Sequence, residues 1–116
     1  MTRQRWKTRL SADAERDFID IISWTAERFG PRQAQSYRDL MLEALGELAE
    51  GPEPLRSKAR DEIAPGLRTL HVARRGRRGR HVLIYRTGPG GVIEIVRILH
   101  DSMELARHLP GPPGQV

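Results

Sequence analysis

The chain has 116 residues, with 20 lysines and arginines against 15 acids, a formal charge of +5 and no cysteine. This length suits one domain that buries a single core without disulfides, and it excludes thiolate metal sites. No apolar run is long enough for a membrane-spanning helix, and "MTRQRWKTRL" lacks the apolar stretch of a secretory signal, so a cytoplasmic protein is expected.

In chain order, "RWKTRL" (Arg5 to Leu10) alternates Trp6, Thr8 and Leu10 with basic residues, which predicts a strand. Ser11 is a good N-cap, and Asp13 and Glu15 follow where the helix dipole favours acids. Ala14, Phe18, Ile21, Ile22, Thr25 and Phe29 recur at helical steps, which predicts a helix from about Ala12 to Arg28. Gly30-Pro31 ends one helix and starts the next. Ala34, Tyr37, Met41, Ala44, Leu45 and Leu48 form the second apolar stripe, so the two helices make an antiparallel hairpin. "GPEPLRSKARDEIAPG" (Gly51 to Gly66) reads as a long loop, expected to form a lid over one edge of the core.

The period then changes. "LRTLHVA" (Leu67 to Ala73), "HVLIYR" (His81 to Arg86) and "VIEIVRIL" (Val92 to Leu99) read as strands joined by glycine-containing links, an antiparallel meander. A short helix is expected over Ser102 to His108, held down by Met103, Leu105 and Leu109, and residues 111–116 read as a disordered tail on a single domain of residues 1–110. The expected fold is α+β: an N-terminal strand, a helical hairpin packed on an antiparallel sheet, and a short C-terminal helix. Phe18, Ile21, Ile22, Met41, Leu45, Leu48, Leu83, Ile95 and Val96 are the core candidates, and the second face of the sheet is expected to be open and flanked by arginines.

Charge is segregated along the chain. Residues 11–50 hold nine carboxylates against four arginines, whereas residues 67–100 hold eight arginines against Glu94 alone. That pattern suggests one anion-seeking surface. Only Lys7 and Lys58 are lysines; the other cations are arginines, which bind carboxylates and phosphates bidentately. Arg74, Arg75, Arg77, Arg78 and Arg80 fall within seven residues and would suit phosphate binding or, equally, a solvated hairpin tip. Arg97 interrupts an apolar run, where a charge is expensive unless paired or at a surface. Strict alternation places it with Ile93, Ile95 and Leu99, unless a bulge intervenes. His100 ends the last strand beside Asp101, which either orients its ring or caps the next turn. His100, Tyr85, Arg68, Arg86 and Arg97 together hold the residue types of a metal-free ribonuclease. His71, His81, His100 and His108 lack ligand spacing, so no metal or other cofactor is expected.

"LSADAERDFIDIISWTAERFG", "AQSYRDLMLEALGELAEGPEPL", "PGLRTLHV", "HVLIYR" and "VIEIVRILHDSMELARHLP" follow one another in an order that resembles the ParE branch of the RelE/ParE toxins of bacterial type II toxin–antitoxin systems. The most specific piece is the strand ending in Arg-Ile-Leu-His before a Met-acid-Leu segment. The resemblance implies the fold derived above, a cognate antitoxin whose tail wraps the toxin, and DNA gyrase as the target. RelE-like relatives instead cut messenger RNA on the ribosome, and that alternative would use Arg68, Tyr85, Arg97 and His100. This chain has no late tyrosine and few lysines, which favours the non-enzymatic inhibitor. The implied contact residues for target or antitoxin are Arg68, Arg74, Arg75, Arg77, Arg78, Arg80, Arg86, Arg97 and His100.

Overall fold

The computed structural model describes residues 5–109; the expected tail over 111–116 lies outside the described residues. The elements are β1 (Lys7–Leu10), α1 (Ala12–Phe29), α2 (Pro31–Glu47), β2 (Lys58–Ala59), β3 (Arg68–His71), β4 (His81–Gly88) and β5 (Val92–His100), with 3-10 turns at Leu48–Glu50 and Leu105–His108. Two helices lie on a five-stranded sheet of order β1-β5-β4-β3-β2, an α+β fold. The meander of β3, β4 and β5 is antiparallel as expected, but β1 joins the far side of β5 in parallel, which makes the sheet mixed. The Gly51–Gly66 segment is not all loop, because β2 pairs with β3 at the opposite edge.

The helical hairpin is fixed by its caps. The Ser11 hydroxyl accepts the Ala14 N–H at 3.0 Å and donates to the Val96 carbonyl at 2.8 Å, so one side chain both starts α1 and ties it to β5. A cap of this kind contributes about 1 kcal/mol. Gly30, at φ 91, donates its N–H to Ala26 and is also the N-cap of α2, with Pro31 next.

The core between helices and sheet includes Leu40, Met41, Leu48, Leu70, Leu83, Tyr85, Ile93, Ile95 and Ile98. Of the expected core, Met41, Leu48, Leu83, Ile95 and Val96 are buried. Phe18, Ile21, Ile22 and Leu45 are only partly buried against it. Of α1 only Ala14 and Thr25 are buried, because this helix runs along the β1–β5 edge, where the sheet ends beneath it.

The second face is not open. Leu67, Ile84 and Leu99 are buried there beneath Ile63, Ala64, Leu105 and Leu109. Two irregular segments, the end of the long loop and the chain after β5, do the covering that no helix does. Burying side chains of this size stabilises by about 1.5–3 kcal/mol each. The expected helix over Ser102 to His108 shrinks to the turn Leu105–His108. Asp101 donates its N–H to Arg80 and Met103 to His100, so the chain is committed to turns before a helix can nucleate. Leu105 and Leu109 hold the segment down as expected, but Met103 is 43% exposed and does not.

A bulge decides where Arg97 points. Ile84 pairs with Arg97 but Tyr85 pairs with Ile95, so Val96 is the extra residue on β5. Alternation therefore breaks: Ile93, Ile95 and Ile98 face the helices, whereas Leu99 lies in the opposite cluster, together with Ile84, the partner of Arg97.

Candidate functional site

The link between β3 and β4 is a tight arginine hairpin. Arg74 and Arg77 exchange backbone hydrogen bonds at 3.2 and 2.9 Å. Arg75, at φ 51, and Gly76, at φ 75, make the turn between them. The five arginines do not behave alike. The Arg74 side chain is 2% exposed and faces inward. Its guanidinium donates to Glu47 and to the carbonyls of Val72 and His71. Burial pulls its pKa below the ordinary arginine value, and Glu47 opposes that shift. Arg77 donates to the Ser36 carbonyl at 2.9 Å and stands 3.6 Å from Glu43. Arg74 and Arg77 thus clamp the hairpin to α2 instead of facing solvent as a free cationic loop would. Arg80 stands 3.4 Å from Asp101 and is otherwise outward. Arg75 and Arg78 are exposed and have no side-chain partner among the described residues.

Beside the hairpin, the strand ends gather three histidines. His81 and His100 are register partners, with ring centroids 5.4 Å apart and nearly perpendicular. The Tyr37 hydroxyl accepts the Arg80 N–H at 3.0 Å and shares a hydrogen bond with His81 Nδ1 at 2.6 Å. Burial, with His100 nearby, lowers the His81 pKa to about 4, and burial also raises that of Tyr37. His100 Nδ1 accepts from both the hydroxyl (2.7 Å) and the N–H (3.2 Å) of Ser102. His71 accepts the Ala73 N–H on Nδ1 at 3.1 Å, so Nε2 carries its proton toward Asp101 at 3.0 Å. That hydrogen bond holds the Asp101 carboxyl below the usual carboxylate value. Asp101 therefore orients His71 across the sheet end and stands 3.6 Å from His100. Tyr37, His71, His81 and Glu47 were not singled out as site residues from sequence. A signal for the histidines was present, since an antiparallel meander brings the end of β3, the start of β4 and the end of β5 to one margin.

The other expected residues lie elsewhere. Tyr85 is fully buried on the helix side and donates to the Pro52 carbonyl at 2.6 Å. Arg68, its register partner, donates to the Ser57 hydroxyl at 2.7 Å and leaves its Nε buried without a partner. Arg86 is exposed and clasps Glu94 at 2.9 and 3.1 Å. Arg97 turns around the β5 edge to Asp17, bonding at 2.7 and 2.9 Å, and also donates to the His108 carbonyl. Arg68 and Tyr85 thus share the helix side, Arg97 sits across the sheet, and His100 stands at the far end of β5. The structure brings His100 together with Arg80 and two other histidines, and not with Arg68, Tyr85 or Arg97. Among the described residues no group of three or more histidines and acids has metal-ligand geometry, and no helix is long and apolar enough to cross a membrane.

Comparison with known proteins returns one family over most of the chain. The family model described as the ParE toxin of the type II toxin–antitoxin system parDE matches residues 8–105. A Mycobacterium tuberculosis protein named Toxin ParE1 is 35% identical over 100 residues, covering 86% of this chain and 94% of that protein. Its namesake from Caulobacter vibrioides is 33% identical over 101 residues, covering 87% and 95%. A solved structure described as the chromosomal ParDE system from P. aeruginosa superposes with a TM-score of 0.62 at 20% identity, over 85% of this chain and 98% of that one, which is a likeness of fold.

Proposed function

Because the chain belongs to the ParE family of type II toxin–antitoxin toxins, we propose that it arrests growth by binding and poisoning DNA gyrase, and that a cognate antitoxin neutralises it. The family match over residues 8–105 carries the reading. Two features of the molecule support contact-based inhibition over messenger cleavage. Tyr85 is buried and hydrogen-bonded to backbone, so it reaches no substrate. Arg97, on β5 and two strands away from Arg68 on β3, is committed to Asp17 of α1. A general acid, a general base and a charge stabiliser must converge on one phosphate to cleave RNA, and these four residues are dispersed. The proposed contact surface is the sheet end that carries His100, Arg80 and the hairpin, with Arg86 on the exposed part of β4. An acidic antitoxin tail suits the same charge and would compete for it.

The deciding experiment is supercoiling of relaxed plasmid by gyrase in the presence of full-length toxin separated from its antitoxin. Lost supercoiling or trapped, cleaved DNA, reversed by added antitoxin, is the expected outcome. Unaffected gyrase with folded toxin would reject it. Codon-positioned messenger cuts in a translation extract, abolished by His100→Ala in protein shown to be folded, would establish the ribonuclease in its place.

A further inference from the structure

The Arg74–Arg80 hairpin, with sequence RRGRRGR, contains no apolar side chain. Two positive φ values at its tip, at Arg75 and Gly76, are the signature of a type I′ turn, which favours Asn, Asp or Gly at both positions. Arg75 is the one non-glycine residue with positive φ among the described residues. A long side chain held there costs stability that Asn would save, and such strain accumulates where a side chain is needed for binding. The base of the hairpin is rigid. A Cβ on Gly79 would stand 2.5 Å from Val72 Cγ2 and 3.3 Å from Leu40 Cδ2, so the returning arm lies directly on the core. Arg74 and Arg77 fasten the same hairpin to Glu47, Ser36 and Glu43. Two arginines hold it, and Arg75 and Arg78 project from it without partners. Exposed Arg56 acts electrostatically on Arg74 and so adds its charge close by.

We propose that this hairpin is a nucleic-acid-binding finger, with Arg75 and Arg78 each taking a backbone phosphate of duplex DNA. Phosphate recognition requires guanidiniums and close backbone approach, and arginines broken by glycines provide both. Peptides held by apolar anchors or by pairing along a strand edge find neither on this hairpin, and an acidic segment read by arginines alone would be a competitor for the same two cations. The inference concerns the toxin alone and does not depend on gyrase being its target.

The test is fluorescence anisotropy of the full-length toxin with a labelled duplex of about 20 base pairs, titrated across salt, beside the variant Arg75→Asn/Arg78→Gln. Arg16→Gln/Arg28→Gln removes the same charge from α1 and serves as the control. The hairpin variant is expected to lower the magnitude of the log K against log salt slope by about 2 and to bind roughly tenfold more weakly at about 50 mM salt. The control is expected to shift the slope by less than half as much. Arg75→Asn alone is expected to raise the melting midpoint by about 2–5 °C while weakening DNA binding, since it relieves the turn. Equal slopes for the hairpin and α1 variants would reduce DNA binding to overall charge and overturn the proposal. So would a hairpin variant that keeps DNA but loses a labelled polyglutamate peptide, which would assign the finger to an acidic protein.

Discussion

Asp17 holds three donors at once: two guanidinium nitrogens of Arg97, at 2.7 and 2.9 Å, and the backbone N–H of Ile98 at 2.9 Å. The last of these would otherwise be an open donor on the β5 edge, beyond the reach of β1. The hydrogen bond to Asp17 raises the pKa of Arg97 above the ordinary arginine value. Both side chains are less than a third exposed. Removing either partner strands the other, so Arg97→Ala and Asp17→Ala are each expected to destabilise by about 1–3 kcal/mol in urea unfolding. The double variant should lose less than the sum; strict additivity would show that the pair is uncoupled. His81 gives a second expectation. Its folded pKa of about 4 lies below the ordinary 6.5, so the unfolded chain takes up a proton that the folded chain refuses. Stability is therefore undiminished above pH 6.5 and falls as pH drops toward 4. His81→Gln should flatten the urea midpoint in that window, while the contribution of Asp101, whose depressed carboxyl titrates below the ordinary 3.8, disappears only at lower pH.

At the level of elements, glycines separate tight packing from open space. Gly79→Ala places a methyl against Val72 and Leu40 and is expected to destabilise by about 1–3 kcal/mol. Gly46 lies in α2 with nothing within 4 Å of a built Cβ, so Gly46→Ala should instead stabilise by about 0.5–1 kcal/mol through helix propensity. Thermal melts of the two variants should move in opposite directions. Helix limits were legible because Ser11, Gly30 and Pro31 act locally, and the three meander strands were legible from their period. The bulge at Val96 was not, because a one-residue misregister leaves no mark on composition and is set by pairing with Tyr85 and Ile84. Nor was the division of labour in the arginine hairpin. Which arginines clamp and which project depends on α2 presenting Glu47, Glu43 and Ser36, through bonds between residues 27 and 41 positions apart.

On the scale of the whole molecule, the sheet is apolar on both faces, and only one has a helical layer. Ile84→Ala is expected to destabilise by about 2–5 kcal/mol, although it lies in the cluster away from the two α-helices. A cost below about 1 kcal/mol in chemical denaturation would mean that Ile63, Ala64, Leu105 and Leu109 only rest on the sheet. The parallel pairing of β1 with β5 has a consequence in time. It closes Lys7–Leu10 onto Val92–Ile95, and Ser11 reaches Val96 across 85 positions. Contacts so distant in sequence close slowly, since loop entropy is spent before they reward it. During synthesis β1 and α1 leave the ribosome first and wait for β5, the meander strand that β1 pairs with. The finished shape, and whatever harm it does, therefore belongs only to completed chains; a nascent or truncated one lacks the strand on which its beginning closes.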